Sequence, residues 1–419
     1  MQIPFFRPNI EQPEIDEVVD TLRSGWLTTG PKTKQFEADF AAYVGQTHAV
    51  AVNSCTAALH LALEAIGLGP DDTVVVPAMT FAATAEVVRY FGAKPLLVDC
   101  RERDFNLNVA DAEQKIKAAL ARGETVKAIL PVHYGGQVGD MAGVLQLARR
   151  FNLHIIEDAA HCCPAFYRDH ESAPWKSVGA ESAISCYSFY ANKTITTGEG
   201  GMACTNNPKL AERMRIMSLH GISKDAWKRF TAEGSWYYEI IASGFKYNLT
   251  DIASSIGLHQ LRKADRLHKQ RAGWAEYYFR KLRHVEEVIL PAVQPNRVHS
   301  WHLYPIRLRL DRLAIGRNQF MEELKQRGIG ASVHWMPLHM HPYYREKYGY
   351  RPEDLPIAAS LYGQMISLPL YPDLTAAQVD YICQGIHEII ARAQNLRCKA
   401  QSLVTPVVPH ARPLSQAPV

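Results

Sequence analysis

The sequence has no run of more than two Lys or Arg residues, and its net charge is only +4. It carries no electrostatic footprint for nucleic acid or an anionic membrane surface, so a small-molecule partner is the better expectation. Long apolar runs are also missing: the longest uncharged stretch, residues 40–63, is interrupted by Gly45, Gln46, Thr47, His48, Asn53 and Ser54, so no transmembrane helix is expected. The amino-terminal residues turn acidic before an apolar core of signal-peptide length forms, which predicts a cytoplasmic location. Cysteines are few, eight in 419 residues with no C-x-x-C pair, which excludes a disulfide scaffold and predicts reduced thiols. No H-E-x-x-H or Cys/His zinc spacing accompanies His334, His339 and His341, and no metal site is expected. The G-x-G-x-x-G fingerprint of a nicotinamide enzyme is absent after the first strand, where SCTAAL stands instead.

What is present is the composition of a globular protein, 47% hydrophobic and 21% charged, long enough for two to three domains. Apolar runs at 49–53, 73–77, 95–99, 128–132 and 154–157 alternate with helical-period stretches at 56–66, 83–91, 109–121 and 141–151. This is the α/β signature of a mostly parallel sheet flanked by helices. Two further strands, 183–189 and 201–205, have no helix between them, and the TTGEGG turn predicts a hairpin-like edge feature. From residue 251 the texture changes to a long helical run, a strand at 302–308 and a helix at 318–327, read as a smaller α+β domain. The expected units are therefore an N-terminal arm and large cofactor-binding domain (1–250), a small domain (251–398) and a Pro-rich tail (399–419).

In open α/β sheets ligands bind beyond the carboxyl ends of strands. Ser54-Cys55-Thr56 follows the first strand and opens a helix, where backbone N–H groups suit a phosphate, although such residues by themselves more often make an ordinary N-cap. Asp158 ends a buried strand and calls for a cationic partner, unless it caps the turn that follows. Lys193 lies in the small polar loop SFYANKTITTGEGG, where partial desolvation makes an amine nucleophilic, although most lysines are simply solvated. Jointly the three supply the anchors of pyridoxal phosphate: a helix N-terminus for phosphate, a carboxylate for the pyridinium and an amine for the aldehyde.

The segments GWLTTGP, SCTAALHLAL, PAMTFAATAEVV, IIEDAAH, SFYANKTITTGEGG, HGI, KYNLTDI and SWHLY resemble the DegT/DnrJ sugar aminotransferase family over about residues 4–395. The resemblance implies a fold type I enzyme using pyridoxal 5'-phosphate, with Lys193 bonding the cofactor aldehyde and Asp158 meeting the pyridine nitrogen. It further implies that Phe81 stacks on the ring, and that His161 approaches the ring hydroxyl. Ser188 and the Cys55-Thr56 turn would hold the phosphate, with Asn248 supplied by the other subunit of a homodimer. The family often has glycine or alanine where Cys55 stands, and the Cys162-Cys163 pair departs from its usual continuation, which points to packing.

YNLTDI, WHLYPIRL and GIGASVHW followed by PYYREKYGY are most similar to members aminating C4 of nucleotide-linked 4-keto sugars. Glutamate would be the donor, 2-oxoglutarate its product, and the kinetics ping-pong. His334, His339, Tyr343 and Tyr344 are candidates for the sugar side, and Lys228 and Arg229 for the diphosphate; their alternatives are a packed aromatic cluster and a solvated helix face. Amination at another sugar carbon or of a cyclitol would use the same cofactor residues, and a cofactor-bound regulatory protein is the rival from another class. A pyridoxamine-dependent sugar dehydratase is disfavoured by Lys193, since such enzymes replace that lysine.

Overall fold

Short polar residues punctuate the chain where its helices begin. Ser54, Asn108, Asp140, Asn207 and Thr250 each accept a hydrogen bond from a first-turn N–H of the helix that follows. The computed structural model describes residues 1–223 and 238–404, with side chains to residue 394.

Seven strands form the central sheet: β1 (His48–Val52), β2 (Asp72–Pro77), β3 (Lys94–Val98), β4 (Thr125–Ile129), β5 (His154–Asp158), β8 (Ile184–Ser188) and β9 (Gly201–Thr205). Their order is β1-β9-β8-β5-β4-β2-β3. Neighbours from β8 through β3 are parallel, whereas β9 runs antiparallel to both β8 and β1. The pair predicted as an edge feature is therefore antiparallel as expected but internal, with β1 closing that side of the sheet. The double reversal leaves β1 pointing the same way as β8, so the carboxyl ends of β1, β2, β5 and β8 share one rim. β4 begins and ends three residues before the expected run, because Pro131 lacks the N–H needed to continue the ladder.

Helices α3 (Cys55–Ala65), α4 (Ala83–Tyr90), α5 (Val109–Ala121), α6 (Met141–Phe151) and α7 (Pro208–Met217) follow strands or loops of this sheet. Two apolar layers cover its faces, one including Val75, Ile129 and Phe189, the other Val74, Val76 and Ile156. Alternate residues of β2 thus enter opposite layers, which explains its uninterrupted apolar sequence. A minor sheet joins β6 (Phe166–Tyr167), β7 (Lys176–Ser177) and β11 (Arg297–Val298).

The remaining sheet, β10 (Val288–Ile289), β12 (Tyr304–Leu308) and β13 (Met365–Leu368), is antiparallel and carries the third core. Helices α10 (Arg317–Gln326), α11 (Pro342–Tyr348), α12 (Pro356–Gln364) and α13 (Ala376–Val404) accompany it. Its core also takes Ile3, whose backbone pairs with Gly328 and Gly330, so the first residues join the C-terminal part of the fold. Conversely α8 (Asp251–Arg262) packs on α1 (Gln12–Ser24) and α2 (Pro31–Tyr43), and Leu267 of α9 (Ala264–Leu282) still belongs to the large core. The change from one core to the other falls inside α9, between Leu267 and Ala275, because the helical period runs unbroken across it. α13 continues to Val404, past residue 399 where the tail was expected to start.

Candidate active site

At the shared rim lies a cavity of about 520 Å³. It is bordered by the start of α3, the ends of β5 and β8, the Lys193 loop and the segment holding His334 and Trp335.

The start of α3 is built for close approach. Ser54 Oγ accepts from Ala57 N at 3.1 Å and so serves as the N-cap. The N–H groups of Cys55 and Thr56 have no partner among the described residues and open toward the cavity that both residues line. Gly201, heading β9, permits this: a Cβ there would lie 2.4 Å from Ser54 C and 2.6 Å from Cys55 N. Unpartnered N–H groups at a helix N-terminus suit a phosphate. Ser188 stands nearby at the end of β8, accepting from Tyr190 N at 3.4 Å.

Asp158 is 6% exposed. Its Oδ2 accepts from Thr84 Oγ1 at 2.8 Å and its Oδ1 from Ala160 N at 3.2 Å. Burial raises its pKa, opposed by those two hydrogen bonds and by the charges of Lys193 and His133. A buried carboxylate with so few donors suits a cationic N–H placed in the cavity.

Lys193 is held by a loop folded on its own threonines. Its N–H donates to Tyr190 O at 2.9 Å, Thr196 Oγ1 donates to Phe189 O at 3.0 Å, and Thr197 Oγ1 to Glu199 O at 2.7 Å. Burial lowers the Lys193 pKa to about 8, against the charges of Cys55, Asp158 and Cys162 that raise it. No hydrogen bond or ion pair occupies its amine among the described residues. A substantial fraction of neutral amine at neutral pH is what nucleophilic addition to an aldehyde requires.

His161 follows the Asp158 turn, its Nδ1 accepting from Gly135 N at 3.2 Å, which leaves the proton on Nε2. The ring stacks on Trp335 at 5.2 Å and lies 4.3 Å from the ring of His302; burial drives its pKa well below the usual imidazole value. Phe81, 59% exposed, stands at the mouth with its ring 6.3 Å from Trp335. A helix N-terminus, a buried carboxylate and a desolvated amine around one cavity fit pyridoxal phosphate, whose bound ring supplies an electron sink.

Of the residues singled out from sequence, Cys55, Thr56, Phe81, Asp158, His161, Ser188, Lys193 and His334 all line the cavity. His334 Nδ1 is 2.9 Å from Ser367 Oγ. Asn248 is not in the wall of its own chain's cavity; it donates to Thr29 Oγ1 at 2.8 Å and pairs with Val52. His339, Tyr343 and Tyr344 are not brought to the cavity. His339 is fully buried near Asp99 and Asp354, and Tyr344 packs edge-on against Tyr343 within an apolar layer, because the helical turns 338–340 and 342–348 direct them away from the rim. Lys228 and Arg229 fall outside the described residues. Cys162 and Cys163 are buried among apolar neighbours, in keeping with packing. The described residues contain no group of three potential ligands arranged to hold a metal.

Sequence reasoning missed Thr84, His302, Trp335 and Glu199. Thr84 sits one helical turn after Thr80, and its hydroxyl is 2.7 Å from that of Thr80, a spacing legible in PAMTFAATAEVV. His302 and Trp335 lie within segments already marked, SWHLY and GIGASVHW, but only packing turns their rings toward the cavity.

Comparison with known proteins supplies the family. Residues 8–387 match the DegT/DnrJ/EryC1/StrS aminotransferase family. The chain is 46% identical over 389 residues to MJ1066 of Methanocaldococcus jannaschii, an uncharacterised protein, covering 93% of this chain and 98% of the other. It is 41% identical over 392 residues to the spore coat polysaccharide biosynthesis protein SpsC of Bacillus subtilis, covering 93% and 98%. The sugar aminotransferase Spr1654 of Streptococcus pneumoniae, in its pyridoxamine phosphate form, superposes with a TM-score of 0.84 at 32% identity, over 95% of this chain and 100% of that one. Spr1654 is also known in its pyridoxal phosphate form. The chain therefore belongs to the DegT/DnrJ/EryC1/StrS aminotransferase family, as a fold type I, pyridoxal phosphate-dependent enzyme.

Proposed function

We propose that the enzyme moves an amino group from glutamate to C4 of a nucleotide-linked 4-keto sugar, in two half-reactions that share one cofactor and obey ping-pong kinetics. The observation that carries this reading is the approach of Lys193, with its depressed pKa, and the buried Asp158 to one cavity. Asp158 holds the proton at the pyridine nitrogen, and the Lys193 amine moves the substrate's α-proton once it is free. The N–H groups of Cys55 and Thr56, with Ser188, bind phosphate, and Phe81 at the mouth covers the ring. Kinship with SpsC, named for polysaccharide synthesis, favours a sugar acceptor. His334 then faces the sugar, and Lys228 and Arg229 meet its diphosphate.

The working unit in this reading is a cytoplasmic homodimer. Helix α1 supports a second copy: Glu14 and Thr21 are buried against its own chain while Ile15 and Leu22 are exposed. Asp251 accepts from Gly30 N at 2.8 Å and Thr33 N at 2.9 Å, tying the start of α2 to the Asn248 segment. Such a rigid pair of motifs is suited to delivering Asn248 to the partner's phosphate site.

Purified enzyme mixed with glutamate should lose the visible absorption of the lysine-bound cofactor and regain it with a nucleotide-linked 4-keto sugar. Turnover confined to cyclitols or to sugars oxidised elsewhere would redirect the substrate assignment, and binding without turnover would favour a regulatory protein.

A further inference from the structure

Among the described residues lining the cavity, Lys193 is the only lysine and no arginine is present. An amino-acid donor nevertheless brings carboxylates that must be recognised. His302, in the cavity wall and 5% exposed, lies with its ring 4.3 Å from that of His161. Its Nδ1 is buried without a hydrogen-bond partner among the described residues. Buried polar atoms of this kind concentrate where a ligand completes them.

On α9 stands a second unsatisfied group, whose charge acts on His302. Arg271 is 4% exposed, donates from Nη1 to Leu370 O at 2.8 Å, and has no partner at Nε. No carboxylate is in ion-pair contact with it among the described residues, although the charge of Asp373 favours its ionised form. Burial keeps His302 neutral, and the charges of Lys193 and Arg271 act in the same direction. The wall thus holds an incomplete hydrogen-bonding group on which the buried charge of Arg271 acts, with no acid in ion-pair contact with either residue among those described, an arrangement that a bound carboxylate would complete.

We propose that His302, backed by the buried charge of Arg271, forms the carboxylate subsite for the amino-acid donor. The inference rests on the aminotransferase reading with glutamate as donor. An arriving carboxylate places a negative charge beside the ring, so His302 takes up a proton on binding and donates a charge-assisted hydrogen bond to it. The keto group of the acceptor sugar carries no such charge and does not depend on the pair.

Glutarate, an unreactive dicarboxylate, provides the test by calorimetry on the holoenzyme and the cofactor-free protein, in buffers of different ionisation heat. Wild type should bind glutarate with uptake of about one proton. His302→Gln should weaken binding about tenfold and abolish the uptake, as should Arg271→Met, while Arg271→Lys retains both. In single turnovers, His302→Gln should need about tenfold more glutamate for half-saturation while the sugar half-reaction stays within about twofold. Equal glutarate affinity and proton uptake in wild type, His302→Gln and Arg271→Met would overturn the proposal with the cofactor band intact. Loss of that band in the wild type would instead defeat the aminotransferase reading and leave glutarate binding to the cofactor-free protein as it was.

Discussion

Thr84 Oγ1 donates a 2.8 Å hydrogen bond to Asp158 Oδ2, so the carboxylate that ends β5 is steadied by the helix that follows β2. The two strands are separated in the sheet by β4. The bond opposes the upward shift that burial imposes on Asp158.

Removing it has a definite sign. In Thr84→Val the Asp158 pKa rises further, the ionised form is lost at higher pH, and the acidic limb of the activity profile moves upward. A hydrogen bond to a charged group contributes about 1.5–3 kcal/mol, so kcat should fall roughly 10- to 100-fold where Asp158 is protonated. An unmoved acidic limb would show that Thr84 has no electrostatic hold on the carboxylate.

Lys193 should titrate far below an ordinary lysine. In cofactor-free protein, labelling by an amine-selective reagent read out by mass spectrometry should reach half its maximal rate near pH 8, the pKa to which burial lowers it. Surface lysines should require about two further units, being near 10.4 when unperturbed. Lys193→Ala should abolish transamination without altering the fold.

Gly201 and Gly198 separate two kinds of glycine requirement. Alanine at 201 forces its Cβ against the Ser54–Cys55 peptide, and should cost about 1–3 kcal/mol of stability together with cofactor affinity. Alanine at 198 meets nothing within 4 Å and pays only for its φ of +81°, about 1–2 kcal/mol. Thermal unfolding and cofactor dissociation rates measured side by side check the distinction: only Gly201→Ala should release cofactor.

His133 Nε2 and Glu157 Oε2 meet at 2.7 Å with both side chains fully buried, and Glu157 Oε1 accepts from Gly179 N at 3.1 Å. Glu157→Ala leaves His133 Nε2 and the Gly179 N–H without partners, while His133 Nδ1 keeps the Gly139 N–H. The expected loss is about 3–5 kcal/mol, visible as a lower urea midpoint. An unchanged midpoint would mean that water or rearrangement replaces the carboxylate.

Acid should weaken the fold before it touches surface pairs. Burial lowers the pKa of His60 and His334 to about 4 and that of His299 to about 3. In the unfolded chain these groups bind protons near pH 6.5. Their contribution is whole above that value and declines as pH falls toward 4, and for His299 toward 3, because the unfolded state then holds more protons. Denaturant midpoints should fall across that window, and His60→Phe should flatten part of the slope.

Strands β1, β2, β3, β5, β8 and β9 were legible because residues buried on both faces leave runs of apolar side chains, and α5 and α6 because their caps and periods agree. Asp158, Lys193 and the Cys55-Thr56 turn were legible because each follows such a run with chemistry out of place in a core. The same rule could not reveal that Tyr343 and Tyr344 turn away from the cavity, since aromatic side chains serve a packed layer as readily as a sugar site.

Local patterns alone thus determined the α/β class, the position of the rim and three of the groups that line its cavity. Tertiary structure decided the placement of β9 inside the sheet, the passage of Ile3 into the C-terminal core, the bond from Thr84 to Asp158 and the approach of His302 and Trp335 to the cavity. Local sequence encodes hydrogen bonding and periodicity over a few residues. Which distant surfaces meet depends on burying every apolar face at once, and that condition is satisfied only by the folded chain as a whole.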